Sequence, residues 1–110
     1  MYIELEAGGR IMLNINKTIE NEKAVIALEG RLDTVTAPEL EKELKDSIAG
    51  MKELCFDFEK LEYISSAGLR VLLAAQKTMS KQGEMKLCHV NDTIMEIFEV
   101  TGFTDILNIE

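Results

Sequence analysis

Residues 11–19 place Ile11, Leu13, Ile15 and Ile19 at alternate positions with mostly polar residues between them, the period of a half-buried strand. Asn21-Glu22 makes a tight connection. Residues 24–29 form a second, more buried strand that Gly30 is expected to end, and the two strands pair naturally as a hairpin. Thr36-Ala37-Pro38-Glu39 reads as a helix start. The Thr36 hydroxyl is placed to cap an orphan amide, Glu39 can reach back, and Pro38 falls in a first turn where no amide partner is lost. Leu40, Leu44 and Ile48 follow at four-residue spacing until Gly50, leaving Glu41, Lys42, Lys45 and Asp46 on the exposed side.

Leu54, Phe56 and Phe58 alternate with Cys55 and Asp57, so residues 53–58 are expected to be a central strand, with Asp57 an odd residue for its strand-end position. The spacing predicts a helix over 66–82, with Leu69, Leu72, Leu73, Gln76 and Met79 on one stripe and Gly83 closing it. A strand over 85–90 follows. Asn91 or Asp92 then caps a third helix carrying Ile94, Ile97 and Phe98 and ending near Gly102, and 106–109 are a short edge strand or a last helical turn. The order β-β-α-β-α-β-α predicts an α/β fold. Its mixed sheet has four to five strands, the first pair antiparallel and the later ones parallel through right-handed crossovers, covered by three to four helices. One domain over 12–110 is expected, with 1–11 as an extra strand or tail.

Composition narrows the possible partners. Twenty Asp and Glu against 12 Lys and Arg give a net charge of −8, which repels phosphate backbones and anionic lipid, so neither nucleic acid nor a membrane surface is expected to be a direct partner. No apolar run approaches the ~20 residues that span a bilayer and the first residues lack a signal-peptide pattern, so a cytoplasmic protein is expected. Cys55 and Cys88 lie in separate strand-like runs and are expected to be buried free thiols. With His89 as the sole histidine, they are too few and too dispersed in sequence to suggest a metal centre, so neither metal nor cofactor is expected.

The chemistry-bearing stretch is Tyr63-Ile64-Ser65-Ser66-Ala67-Gly68-Leu69-Arg70, where a buried strand gives way to a helix. Either serine can serve simply as a cap. A helix start also offers free amides and a positive dipole end, so a phosphate on Ser66 is accommodated without breaking the helix. The added charge, about −1.5 to −2, would instead alter the outer surface of an already acidic protein. Gly30-Arg31-Leu32-Asp33-Thr34-Val35-Thr36 also joins a strand to a helix, and in a parallel sheet such loops share one edge, so Asp33 and Ser66 are expected to be neighbours. Asp33 can equally be a loop carboxylate that accepts backbone amides, and Asp57 reads as a structural acceptor for the loop after it. A catalytic serine would need a base beside it; His89 belongs to another strand, and no Gly-x-Ser-x-Gly, phosphate-cradling or dinucleotide motif is present, so the chain is not expected to be an enzyme.

Gly30-x-Leu32-Asp33, Thr36-Ala37-Pro38-Glu39-Leu40, Phe56-Asp57-Phe58 and Ile64-Ser65-Ser66-Ala67-Gly68-Leu69-Arg70-Val71-Leu72-Leu73, in this order and spacing, resemble the motifs of the bacterial anti-sigma factor antagonists, the STAS domain. The likeness runs from residue 12 to about 108, and its Ser-Ser-Ala-Gly-Leu element is the most specific part. The resemblance implies partner switching in transcription regulation. The unphosphorylated antagonist binds an anti-sigma factor that is also a serine kinase and so frees the sigma factor; phosphorylation ends that binding and a serine phosphatase restores it. The family's phosphoserine falls on Ser66, with Ser65 as the runner-up, since this chain offers a second hydroxyl where some members carry Asp. Its partner-contacting acidic loop position falls on Asp33, and partner binding is expected at Asp33, Thr34, Thr36, Ser65, Ser66, Ala67, Gly68, Leu69 and Arg70. The alternative is a STAS scaffold in a signalling assembly or beside a transporter-like partner, with Ser66 unphosphorylated.

Overall fold

The computed structural model describes residues 2–4 and 11–110. After strand β2 (Ile11–Glu20), Asn21 takes a left-handed φ of 56° and turns the chain back, so that Glu20 faces Lys23 and β3 (Lys23–Leu32) pairs antiparallel with β2. On the other side of β2, β1 (Tyr2–Glu4) pairs antiparallel with it; residues 1 and 5–10 of the expected strand or tail lie outside the described residues. β4 (Glu53–Ile64) and β5 (Glu84–Cys88) continue the sheet in parallel with β3, in the order β1-β2-β3-β4-β5. Helices α1 (Ala37–Ser47) and α2 (Ser66–Ser80) make the two crossovers, and α3 (Asp92–Thr101) and a 3₁₀ turn (Phe103–Asp105) follow β5. The mixed α/β architecture is the one expected from the sequence, with the last residues adding an isolated parallel bridge between Leu87 and Ile109.

All the described helices lie on one face. Ala24, Ile26, Leu28 and Leu32 of β3 and Leu54, Phe56, Phe58, Leu61 and Ile64 of β4 are buried there. α1 is tied to this face by Lys17, the register partner of Ile26, whose Nζ donates to Ser47 Oγ at 2.8 Å and pairs with Glu43 at 3.2 Å. α3 brings the Phe98 ring to 6.4 Å from Phe58, itself 5.9 Å from Phe56. The other face, with Val25, Ala27, Cys55, Asp57 and Cys88, carries no helix among the described residues and is only partly buried. The helices therefore cover one side of the sheet.

β4 is longer than the predicted 53–58 because it bulges twice. Its register advances three residues (Asp57 to Lys60) while β3 advances two, and then two (Leu61 to Tyr63) while β3 advances one. Each extra residue sits on the bare face and keeps Leu61 and Ile64 pointing into the core. In sequence the same extra residues break the alternation and hide the second half of the strand. Gly30 does not end β3: with φ of 107° it lies within the strand beside the second bulge, a backbone conformation that suits glycine. The strand predicted over 85–90 stops at Cys88, since His89 has a φ of 58°, and the helix predicted to Gln82 ends at Ser80.

Candidate partner-docking site

Leu32 and Ile64 are register partners, so the loops that carry Asp33 and Ser65 leave the sheet side by side. The Ser65 amide joins them by donating to Leu32 O at 2.9 Å. The Asp33 loop is closed by its own side chains. Asp33 Oδ1 accepts from the amides of Val35 (3.0 Å) and Thr36 (3.1 Å), and Thr36 Oγ1 accepts from the Asp33 amide (2.9 Å) while donating to Arg31 O (2.8 Å). Asp33 thus does hold backbone amides. Thr36 is the N-cap of α1, but its fully buried hydroxyl points back into the loop instead of capping forward, because the Asp33 amide and the Arg31 carbonyl need a partner there. Arg31, which sequence reasoning passed over, stacks its guanidinium 4.4 Å above the Tyr63 ring and reaches Asp33 Oδ2 at 3.7 Å.

Ser65 is the N-cap of α2, in extended conformation (φ −101°, ψ 176°), and its carbonyl accepts the first intrahelical bond from Leu69. Its hydroxyl makes no capping bond and is buried without a hydrogen-bond partner among the described residues. Ser66, one residue on, is exposed at the first helical position, so its hydroxyl stands beside the amides that precede the first intrahelical bond. The two serines thus differ in access. Gly68 explains how α2 comes so close to the sheet: a Cβ there would lie 2.8 Å from Ile64 Cγ1 and 2.8 Å from Leu32 Cγ. Leu69 is buried and Ala67 half-buried, while Arg70 and Thr34 are exposed on the outside, where Thr34, Pro38, Glu41, Ala67 and Arg70 line a shallow depression of about 180 Å³. The expected partner-contacting residues therefore divide into an outward set (Thr34, Ser66, Arg70), a set buried or bonded within the loops and the helix start (Asp33, Thr36, Ser65, Gly68, Leu69), and the half-buried Ala67 between them.

Asp57 is not at a strand end but in mid-β4 on the bare face, away from this edge. Its Oδ1 accepts from the Glu59 amide at 3.0 Å, inside the first bulge, and lies 2.9 Å from His89 Nδ1. Burial pushes the Asp57 carboxyl up, but the Glu59 amide and His89 outweigh it and hold the group below its ordinary range. The hydrogen bond and the charge of Asp57 in turn raise His89. Cys55 and Cys88 are free and only half-buried, on this same face, with their sulfurs 3.7 Å apart. The expectation of separate, buried thiols is corrected by the parallel register, which sets Cys88 opposite Asp57 and so beside Cys55. Burial, then the neighbouring thiol, then Asp57 and Glu110 push Cys88 up to about 11.

Among the described residues no helix is long and apolar enough to cross a membrane. The family model for the STAS domain matches residues 11–110. BtrV of Bordetella bronchiseptica, whose name places it among anti-sigma factor antagonists, is 39% identical over 84 residues, covering 74% of this chain and 72% of its own. In structure, the chain is similar to an anti-sigma factor antagonist from Mycobacterium paratuberculosis (TM-score 0.81, 19% identical, 97% of this chain and 89% of that one). It is also similar to the Bacillus cell fate determinant SpoIIAA in its phosphorylated form (TM-score 0.70, 19% identical, 88% and 91%). With the family's serine motif at the head of α2 and its fold throughout, the chain belongs to the STAS domain family, among the anti-sigma factor antagonists.

Proposed function

We propose that the unphosphorylated chain binds an anti-sigma factor that is also a serine kinase, through the edge formed by the Asp33–Thr36 loop and the first turn of α2, and so releases a sigma factor. Phosphorylation of Ser66 by that kinase ends the binding, and a serine phosphatase restores it. The observation that carries this reading is the exposed Ser66 on a helix start that is fixed in place by Gly68 and by the Ser65 amide. The buried Ser65 hydroxyl makes it the poorer acceptor. The relation to BtrV and the existence of a phosphorylated form of SpoIIAA support the same assignment.

A phosphate on Ser66 would meet free amides and the positive end of α2, with Arg70 one turn further on as a countercharge. The fold would tolerate it. The partner would not, because about two negative charges would then occupy a surface it had matched to a hydroxyl. Incubation with the cognate anti-sigma factor kinase and ATP, followed by intact mass measurement, tests the proposal. The wild type should gain one phosphate, Ser66→Ala none, and the phosphorylated chain should lose the partner in a pull-down. Phosphate retained by Ser66→Ala would move the acceptor elsewhere; partner binding with no phosphate on the wild type would favour the unphosphorylated scaffold role.

A further inference from the structure

On the bare face of the sheet, two pairs of side chains from distant parts of the sequence meet, Cys55 and Asp57 from β4 with Cys88 and His89 from the end of β5, Cys55 joining the group through Cys88. Cys55 and Asp57 stand two residues apart in β4, before its first bulge, and so point to the same side. Cys88 of β5 is the register partner of Asp57, and the left-handed His89 swings its ring back to the Asp57 carboxylate. The two sulfurs are 3.7 Å apart, and ligand atoms of Asp57, Cys88 and His89 all lie within 4.8 Å of one another.

We propose that Cys55, Cys88, His89 and Asp57 form a binding site for a thiophilic divalent cation, zinc being the best match, on the face opposite the helices. The sulfur spacing is the most telling dimension. Two thiolates about 2.3 Å from one tetrahedral ion stand about 3.8 Å apart, so the backbone already holds the pair at the spacing a shared ion needs. Two sulfurs, an imidazole nitrogen and a carboxylate oxygen are a zinc donor set, while calcium and magnesium would take oxygens only. His89 is exposed and would give up its hydrogen bond to Asp57 for the ion, and no helix among the described residues covers this face, which leaves the ion a path from solvent. Of the nearby cations, Lys86, opposite Cys55, pairs with Glu84 (4.0 Å) and Glu110 (3.6 Å), while Lys60, beyond the bulge, acts on Asp57 through its charge. Binding would release the thiol protons to solvent and clamp β4 to β5 and to the start of α3. The site is remote from Ser66 and independent of the role proposed for it.

Cobalt(II) is the probe. One equivalent added to the reduced full chain should give a thiolate-to-cobalt charge-transfer band in the near ultraviolet and intense tetrahedral d–d bands in the visible, both removed by zinc. Cys55→Ser and Cys88→Ser should each lower the charge-transfer intensity by about half, and His89→Asn, which tolerates the left-handed backbone, should weaken zinc binding by roughly tenfold or more. Zinc should also raise the thermal midpoint and protect both cysteines from alkylation, a measurement that needs no variant. The site is overturned by a weak octahedral cobalt spectrum, by a full thiolate band in Cys88→Ser, or by equal alkylation rates with and without zinc. It is likewise overturned if the reduced chain takes up no cobalt.

Discussion

At Asp57 two donors converge on one oxygen, the Glu59 amide and the His89 ring, and this makes the pair a pH-dependent fastening. The raised His89 contributes stability that is fully present below its unfolded value of about 6.5 and is lost as pH rises through its higher folded value. The lowered Asp57 contributes above its unfolded value of about 3.8 and loses that contribution as pH falls through its lower folded value. Both contributions are therefore present in full between those two unfolded values. In a metal-free NMR titration, Asp57→Asn should bring the His89 titration down towards the ordinary imidazole value; an unmoved midpoint would deny the coupling. Thr36 permits a second residue-scale prediction. Replacing it by Val strands the Asp33 amide and the Arg31 carbonyl, which should cost about 1–3 kcal/mol in urea unfolding. The motif residues Asp33, Thr36, Ser65 and Ser66 were legible in the sequence, but the direction of the Thr36 hydroxyl and the burial of Ser65 Oγ were not. Both depend on how two loops distant in sequence stack against each other.

At the scale of elements, glycine sets how closely helices and strands meet. Gly68→Ala should destabilise by about 1–3 kcal/mol, because Ile64 and Leu32 must move to admit the methyl group. Gly83→Ala should cost more, since its Cβ would run into the Lys52 carbonyl, which also accepts the Glu84 amide and has no freedom to yield. Denaturant curves that rank Gly83→Ala at or below Gly68→Ala would contradict this packing. Asn91 caps α3 through the Ile94 amide and donates to Leu61 O, so Asn91→Ala should lose about 1–2 kcal/mol. The cap, the Gly102 stop and the helix stripes were readable because they follow local rules. The second half of β4 was not, since a bulge is defined by its partner strand and its sequence trace resembles a loop.

For the whole molecule, fold class, element order and the antiparallel or parallel sense of the strands followed from the alternation of elements, whereas the order of strands across the sheet and the bareness of one of its faces did not. That bareness arises because successive crossovers of one hand between neighbouring strands stack every helix on the same side. It also explains why the sulfurs were underrated: thiols read as core lie on the half-buried face that His89 borders. A net charge of −8 and the proposed switch, confined to one edge, predict that Ser66→Asp weakens partner binding while shifting the thermal midpoint by less than about 2 °C, no more than half of the roughly 4–8 °C that 1 kcal/mol moves in a domain of this size. A large fall in calorimetry would instead mean that added charge acts by loosening the fold. The methyl-less contact at Gly68 has a last consequence. Wedged against Leu32 and Ile64, the head of α2 has almost no slack, so a partner encountering it would surrender little disorder on arrival. Under that condition the lifetime of the complex would answer directly to the groups that touch, and in the proposed switch a single modified oxygen would suffice to end it.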